Sequence, residues 1–152
     1  MPSTQILILI GSESDKERIA KLPLVLEWFG ISYELTGSSA HRQPEQTAVL
    51  VKGAKERGVQ LIIAAAGMAA HLPGVAAALT PLPVIGIPLN ASSLGGTDAL
   101  YSIVQMPPGI TVATVGIDGA VNAGVLAARI LALQDERMAE KLAEFMEKGS
   151  KI

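Results

Sequence analysis

The chain has only two histidines, His41 and His71, and each falls in a short loop among residues suited to holding an anion. In Ser39-Ala40-His41-Arg42 a guanidinium able to grip phosphate through paired hydrogen bonds stands beside an imidazole. The free pKa of such a ring, about 6.5, lets it give or take a proton near neutral pH. Ordinary loop surface is the alternative for both residues, and their adjacency favours function. In Gly67-Met68-Ala69-Ala70-His71, His71 precedes a helix start, whose partial positive charge favours the neutral ring. The competing reading there is a buried histidine bonded to a backbone carbonyl. The third loop is Gly11-Ser12-Glu13-Ser14-Asp15, between an apolar run and a helix. Glycine admits close approach, and helix amides with two hydroxyls supply donors, a combination suited to phosphate. Ser14 or Asp15 could instead be a simple helix cap. A carboxylate at Asp15 would repel phosphate but can accept hydrogen bonds from sugar hydroxyls, so the loop points to a ribose phosphate.

Other chemistries find little support. With no cysteine there is no thiol nucleophile, disulfide framework or Cys-type zinc site, and two histidines without carboxylates at ligand spacing disfavour a metal. No Gly-x-Ser-x-Gly elbow marks a nucleophilic serine, and the Gly-x-Gly-x-x-Gly and Walker patterns are missing, which disfavours NAD and ATP. Twelve basic against fourteen acidic residues offer no basic footprint for nucleic acid and no cationic face for a membrane. No basic-then-apolar leader is visible, and apolar stretches break well before the ~18 residues of a spanning helix. A soluble, cytoplasmic protein is expected.

The elements that must position these loops alternate in type. Gln5–Ile10 ends in Ile-Leu-Ile-Leu-Ile, the pattern of a strand covered on both faces. A helix follows with Ile19, Leu22, Leu26 and Phe29 on one stripe, closed by Gly30, and Pro23 should kink or divide it. Further strands are expected at Ser32–Leu35, Leu61–Ala66, Val84–Ile87 and Thr111–Val115. Helices are expected from Pro44 to Gly58, Pro73 to Leu79, Asp98 to Val104 and Ala120 to Leu133, with a charged helix last. In that last helix Met138, Leu142, Phe145 and Met146 form an apolar stripe. Five strand–helix alternations imply an α/β fold: a doubly wound, flavodoxin-like sandwich around a five-stranded parallel sheet, with a C-terminal helix added. Ligands of such folds sit beyond the carboxyl ends of the strands, where all three loops fall. One domain over 1–152 is expected, with 135–152 a charged terminal helix and tail.

Charge is unevenly spread. Residues 60–134 carry only Asp98, Asp118 and Arg129 of the 26 charged side chains. A chain of 152 residues has too much surface for half its sequence to avoid water, so apolar subunit contacts and an obligate homo-oligomer are expected. The alternative is a monomer whose surface is rich in Ser, Thr and Gly.

At these loops the sequence resembles the class I N5-carboxyaminoimidazole ribonucleotide mutases, of the phosphoribosylaminoimidazole carboxylase catalytic subunit family. The matching stretches are Gly11-Ser12-Glu13-Ser14-Asp15, Ser39-Ala40-His41-Arg42 and Ala69-Ala70-His71-Leu72-Pro73-Gly74. They continue through Thr80–Gly86, Ser102–Pro107 and Asn122-Ala123-Gly124, in family order across residues 5–131. The resemblance implies a flavodoxin-like fold, an octamer with sites at subunit contacts, and a cofactor-free and metal-free reaction of purine synthesis. In that reaction CO2 moves from an exocyclic nitrogen of aminoimidazole ribonucleotide to a ring carbon. It further implies substrate binding by Ser12, Asp15 and Arg42, with Ser14 and Ser39 assisting near phosphate and Ala40 in the same loop. His41 becomes the general acid/base, with Gly67, Ala70, His71 and Leu72 around the heterocycle; His71 is expected to orient or polarise the reacting groups. Two departures stand out: Pro23 late in the first helix, and Met68 where a smaller residue is common. A direct CO2-dependent carboxylase is the near alternative, and a non-catalytic nucleotide-binding module the distant one. FMN is disfavoured because the loops hold no aromatic residue.

Overall fold

A computed structural model describes residues 3–152; Met1 and Pro2, included in the 1–152 expectation, lie outside the described residues. Strand β1 (Ile6–Ile10) consists of five branched aliphatic residues, none more than 1% exposed. Such a run survives only in a strand covered on both faces, and it pairs in parallel with β2 (Tyr33–Gly37) and β3 (Leu61–Gly67). Strand β4 (Val84–Leu89) continues the sheet, and β5 (Ala113–Thr114) ends it. The order β2-β1-β3-β4-β5 is that of a flavodoxin-like doubly wound sheet. The winding reverses between β1 and β3, which places the crevice at their carboxyl ends.

Alternation along β1 divides the core. Ile6, Ile8 and Ile10 face one cluster with α2 (Lys21–Phe29), α6 (Ala120–Leu131) and α7 (Glu136–Glu147). Leu7 and Leu9 face another with α3 (Pro44–Lys52), α4 (Leu72–Leu79) and α5 (Thr97–Val104). The two Cβ directions of one strand thus assign the helices to two layers.

Local chemistry explains most boundaries and several departures from expectation. The first helix is divided, as Pro23 demands. Helix α1 (Asp15–Arg18) stops at Ile19, and α2 restarts so that Pro23 is its third residue. A continuous helix would drive the proline ring into the Ile19 carbonyl, which instead accepts from the Leu22 N–H at 2.8 Å. Gly30 then ends α2 in the left-handed region at φ 72°, which glycine enters without steric cost. The helix expected over 44–58 is shorter: α3 ends at Lys52, and a 3₁₀ turn (Lys55–Arg57) follows before Gly58. Strand β5 holds only two of the five residues expected. Helix α7 is capped by Asp135, whose carboxylate accepts from the Arg137 N–H at 3.0 Å and the Met138 N–H at 3.3 Å. Its stripe of Met138, Leu142 and Phe145 is buried against α2 and α6, whereas Met146 is exposed.

Candidate functional site

Beyond the carboxyl ends of β1, β2 and β3 the three loops form one cleft of about 690 Å³. Ser12, Ser14 and Asp15 line it from the first loop, and Ser39, Ala40, His41 and Arg42 from the second. Gly67, Met68, Ala69, His71 and Leu72 come from the third. All but one of the sequence-selected residues therefore meet. The exception is Ala70, at 1% exposure: its methyl belongs to the core cluster behind the loop.

The histidines, 30 residues apart in sequence, touch. His41 Nε2 lies 2.7 Å from His71 Nδ1, with the rings nearly perpendicular at 80° and their centroids 4.7 Å apart. His71 is not the buried, carbonyl-bonded histidine considered from sequence; it and His41 are both exposed and line the cleft. A hydrogen bond between two ring nitrogens needs one to donate and the other to accept. The pair therefore cannot be doubly protonated on both rings and keep this contact.

The second loop is stiffened from behind. Buried Ser38 and Thr47 share a hydroxyl bond of 2.7 Å, and the Arg42 N–H donates to Ser39 Oγ at 3.1 Å. Gln43 and Ser39 also bond to each other, which seats the loop on the start of α3. With its backbone so held, Arg42 extends an exposed guanidinium that joins no ion pair among the described residues.

In the first loop neither Ser14 nor Asp15 caps α1 through its side chain. The hydroxyls of Ser12 and Ser14 lie 2.9 Å apart and exposed, so their remaining hydrogen-bonding capacity faces the cleft. Asp15 opens α1 with only 6% of its surface exposed. Burial pushes its carboxyl above the usual aspartate range, while Arg18 and hydrogen bonding from the Ser12 backbone pull it back down. Arg18 itself lines the cleft, as does Gln43; neither was singled out from sequence. The signal for Arg18 was its place three residues after Asp15 on a helix, which puts the two on one face.

The third loop is built of small residues packed closely. A Cβ placed on Gly67 would stand 2.5 Å from the Ala91 Cβ, so no larger residue fits without moving the β4 loop. Met68 holds φ 55°, a left-handed conformation costly for a side chain with a Cβ, and exposes its thioether at the mouth of the cleft. Among the described residues no three His, Cys, Asp or Glu side chains are grouped to hold a metal ion, and no helix is long and apolar enough to cross a membrane.

Such a cleft, with one buried carboxylate, two arginines and a contacting imidazole pair, suits an anionic, hydroxyl-bearing ligand whose reaction needs a proton moved. The comparisons with known proteins point the same way. The AIR carboxylase family model matches residues 5–151. N5-carboxyaminoimidazole ribonucleotide mutase of Thermotoga maritima is 51% identical over 141 residues, 93% of this chain and 82% of that protein. Phosphoribosylaminoimidazole carboxylase of Schizosaccharomyces pombe is 48% identical over 95% of this chain, which spans 26% of that longer protein. The crystal structure of Treponema denticola PurE superposes with a TM-score of 0.87 at 33% identity, covering 96% of this chain and 91% of that one. Sequence and fold agree, and the chain belongs to the AIR carboxylase family.

Proposed function

We propose that the protein is an N5-carboxyaminoimidazole ribonucleotide mutase, an isomerase of purine synthesis that forms 4-carboxy-5-aminoimidazole ribonucleotide without a cofactor. The observation that carries this reading is the His41–His71 contact inside a cleft that also holds Asp15 and Arg42. Arg42 binds the phosphate, assisted by the hydroxyls of Ser12, Ser14 and Ser39, and Asp15 accepts from the ribose hydroxyls. The ring is thereby held beside the imidazoles.

His41 protonates the exocyclic nitrogen of the carbamate. The N–C bond then breaks, its electron pair returns to that nitrogen, and CO2 is released beside an electron-rich ring. The ring carbon attacks CO2, and the neutral His41 removes the proton from that carbon to restore aromaticity. One imidazole thus gives a proton and takes one back, the two halves of general acid–base catalysis. His71, hydrogen-bonded to His41, orients that ring and polarises the carboxylate or the amine. Gly67, Ala69 and Leu72 form the wall beside which CO2 is retained.

The direct carboxylase remains the specific rival, since a carboxylase is among the relatives. Product formation from each substrate at low bicarbonate separates them. The mutase converts the N5-carboxy compound at full rate and leaves aminoimidazole ribonucleotide untouched; the opposite preference overturns the proposal. We further propose that residues 1–152 act as one domain in a cytoplasmic homo-octamer. Exposed Leu94, Tyr101, Val104 and Ile117 support assembly, because four large apolar side chains there gain by being covered.

A further inference from the structure

Arg18 is a charged cleft residue to which the proposed reaction gives no role. Its guanidinium donates through Nη1 to the carbonyl oxygen of Asn90, the residue after β4, and its Nε lies 4.0 Å from Asp15 Oδ1. Asn90 in turn donates its backbone N–H to Asp118 Oδ1 at 3.0 Å. The neighbouring Ala91 backs Gly67 in the cleft wall. One side chain therefore ties the buried carboxylate at the end of β1 to the loop after β4.

We infer that Arg18 is a positioning residue for substrate binding: anchored on the Asn90 carbonyl of the β4 loop, its guanidinium sets a positive charge beside the Asp15 carboxylate that accepts from the ribose hydroxyls. The inference rests on the ribonucleotide reading of the cleft. Its physical basis is that a carboxylate removed from water takes up a proton unless a cation opposes it, and a protonated carboxyl turns one of its acceptors into a donor. Asp15 is the sole carboxylate among the described residues lining the cleft. Burial raises it, and Arg18 is the first of the two influences that lower it. The other charged or titratable groups lining the cleft are His41 and Arg42 from the β2 loop and His71 from the β3 loop, while Glu13 lies exposed on the same loop as Asp15. None of these is paired with Asp15.

Steady-state kinetics with the N5-carboxy ribonucleotide, from about pH 5 to pH 8, on Arg18→Met, Arg18→Lys, Asp15→Asn and the Arg18→Met/Asp15→Asn pair test this. Arg18→Met should raise KM by about tenfold with kcat held within about twofold. The acid limb of kcat/KM should move to higher pH, because losing the cation raises the Asp15 carboxyl further. Arg18→Lys should recover most of the loss. In the Asp15→Asn background the Arg18→Met change should alter kcat/KM by less than about twofold, since its effect runs through the missing carboxylate. An equal effect in that background would mean that Arg18 meets the substrate itself and would overturn the inference. So would an unmoved acid limb, or a fall in kcat at constant KM. Wild-type protein that neither binds nor converts the ribonucleotide overturns the functional reading first, and the variants are interpreted only against an active wild type.

Discussion

Two stretches of the molecular surface are built from opposite materials. Beyond β1, β2 and β3 lie two arginines, two histidines, an aspartate and exposed hydroxyls. Around α5 and the loops beside it lie Leu94 and Tyr101, 63% and 62% exposed, with Val104 and Ile117. Ile117 sits against Gly96, so the β5 loop and the start of α5 belong to one surface. Water can serve the polar cleft at little cost, and a ligand can come and go there. An uncovered apolar surface costs about 25 cal/mol for every Å² left in water, continuously. The first region suits a ligand that exchanges with water, and the second is the surface that the proposed homo-oligomer would cover.

The sharpest way to break that contrast is at the histidine pair. His41→Asn should lower kcat by about 10² to 10⁴ while leaving nucleotide affinity nearly unchanged, measured by turnover beside equilibrium binding. Turnover near the wild-type rate would remove His41 from the proton steps. The proposed homo-oligomer is tested by Leu94→Asp combined with Tyr101→Asp. Exposed positions tolerate such changes within about 0.5 kcal/mol in the isolated subunit, whereas two unpaired charges inside an interface are strongly unfavourable. Sedimentation should show an oligomeric wild type and a smaller double variant; a monomeric wild type overturns the proposed assembly, and an unchanged variant mass overturns the placing of its contacts at this surface. The smallest effect is expected at Met68→Gly, where relief of the left-handed backbone outweighs the added chain entropy and stabilises by up to about 1 kcal/mol. A lower melting temperature would show that the thioether contributes contacts worth more than the strain.

Much of this architecture was legible before any coordinates. The β1 run could only be a doubly covered strand, and Leu61–Ala66 and Val84–Ile87 were legible for the same reason. The Pro23 break and the Gly30 stop follow from ring sterics and positive φ, both local properties. Expectation was weaker where local signals were ambiguous. Helix α3 stops at Lys52 although a polar surface helix could have run on to Gly58, and β5, at the sheet edge, keeps only Ala113 and Thr114 in register. Met146 adjoins Phe145 in the sequence, but one residue along a helix is a 100° turn, enough to carry it from the core to solvent.

The amino-acid sequence by itself determined which loops hold the polar residues that line the cleft, because glycine, serine, histidine and arginine at strand–helix junctions are recognisable wherever the junctions fold. It also determined the parallel sheet, because apolar runs and helical periodicity are set by neighbours within a few residues. Only the tertiary structure decided that His41 Nε2 meets His71 Nδ1, that Ala70 turns into the core, and that Arg18 reaches both Asp15 and the Asn90 carbonyl. The reason is physical: β2, β1, β3 and β4 lie side by side in that order, and this arrangement brings together two rings 30 positions apart, and a side chain and a backbone carbonyl 72 apart, whose meeting no local preference encodes.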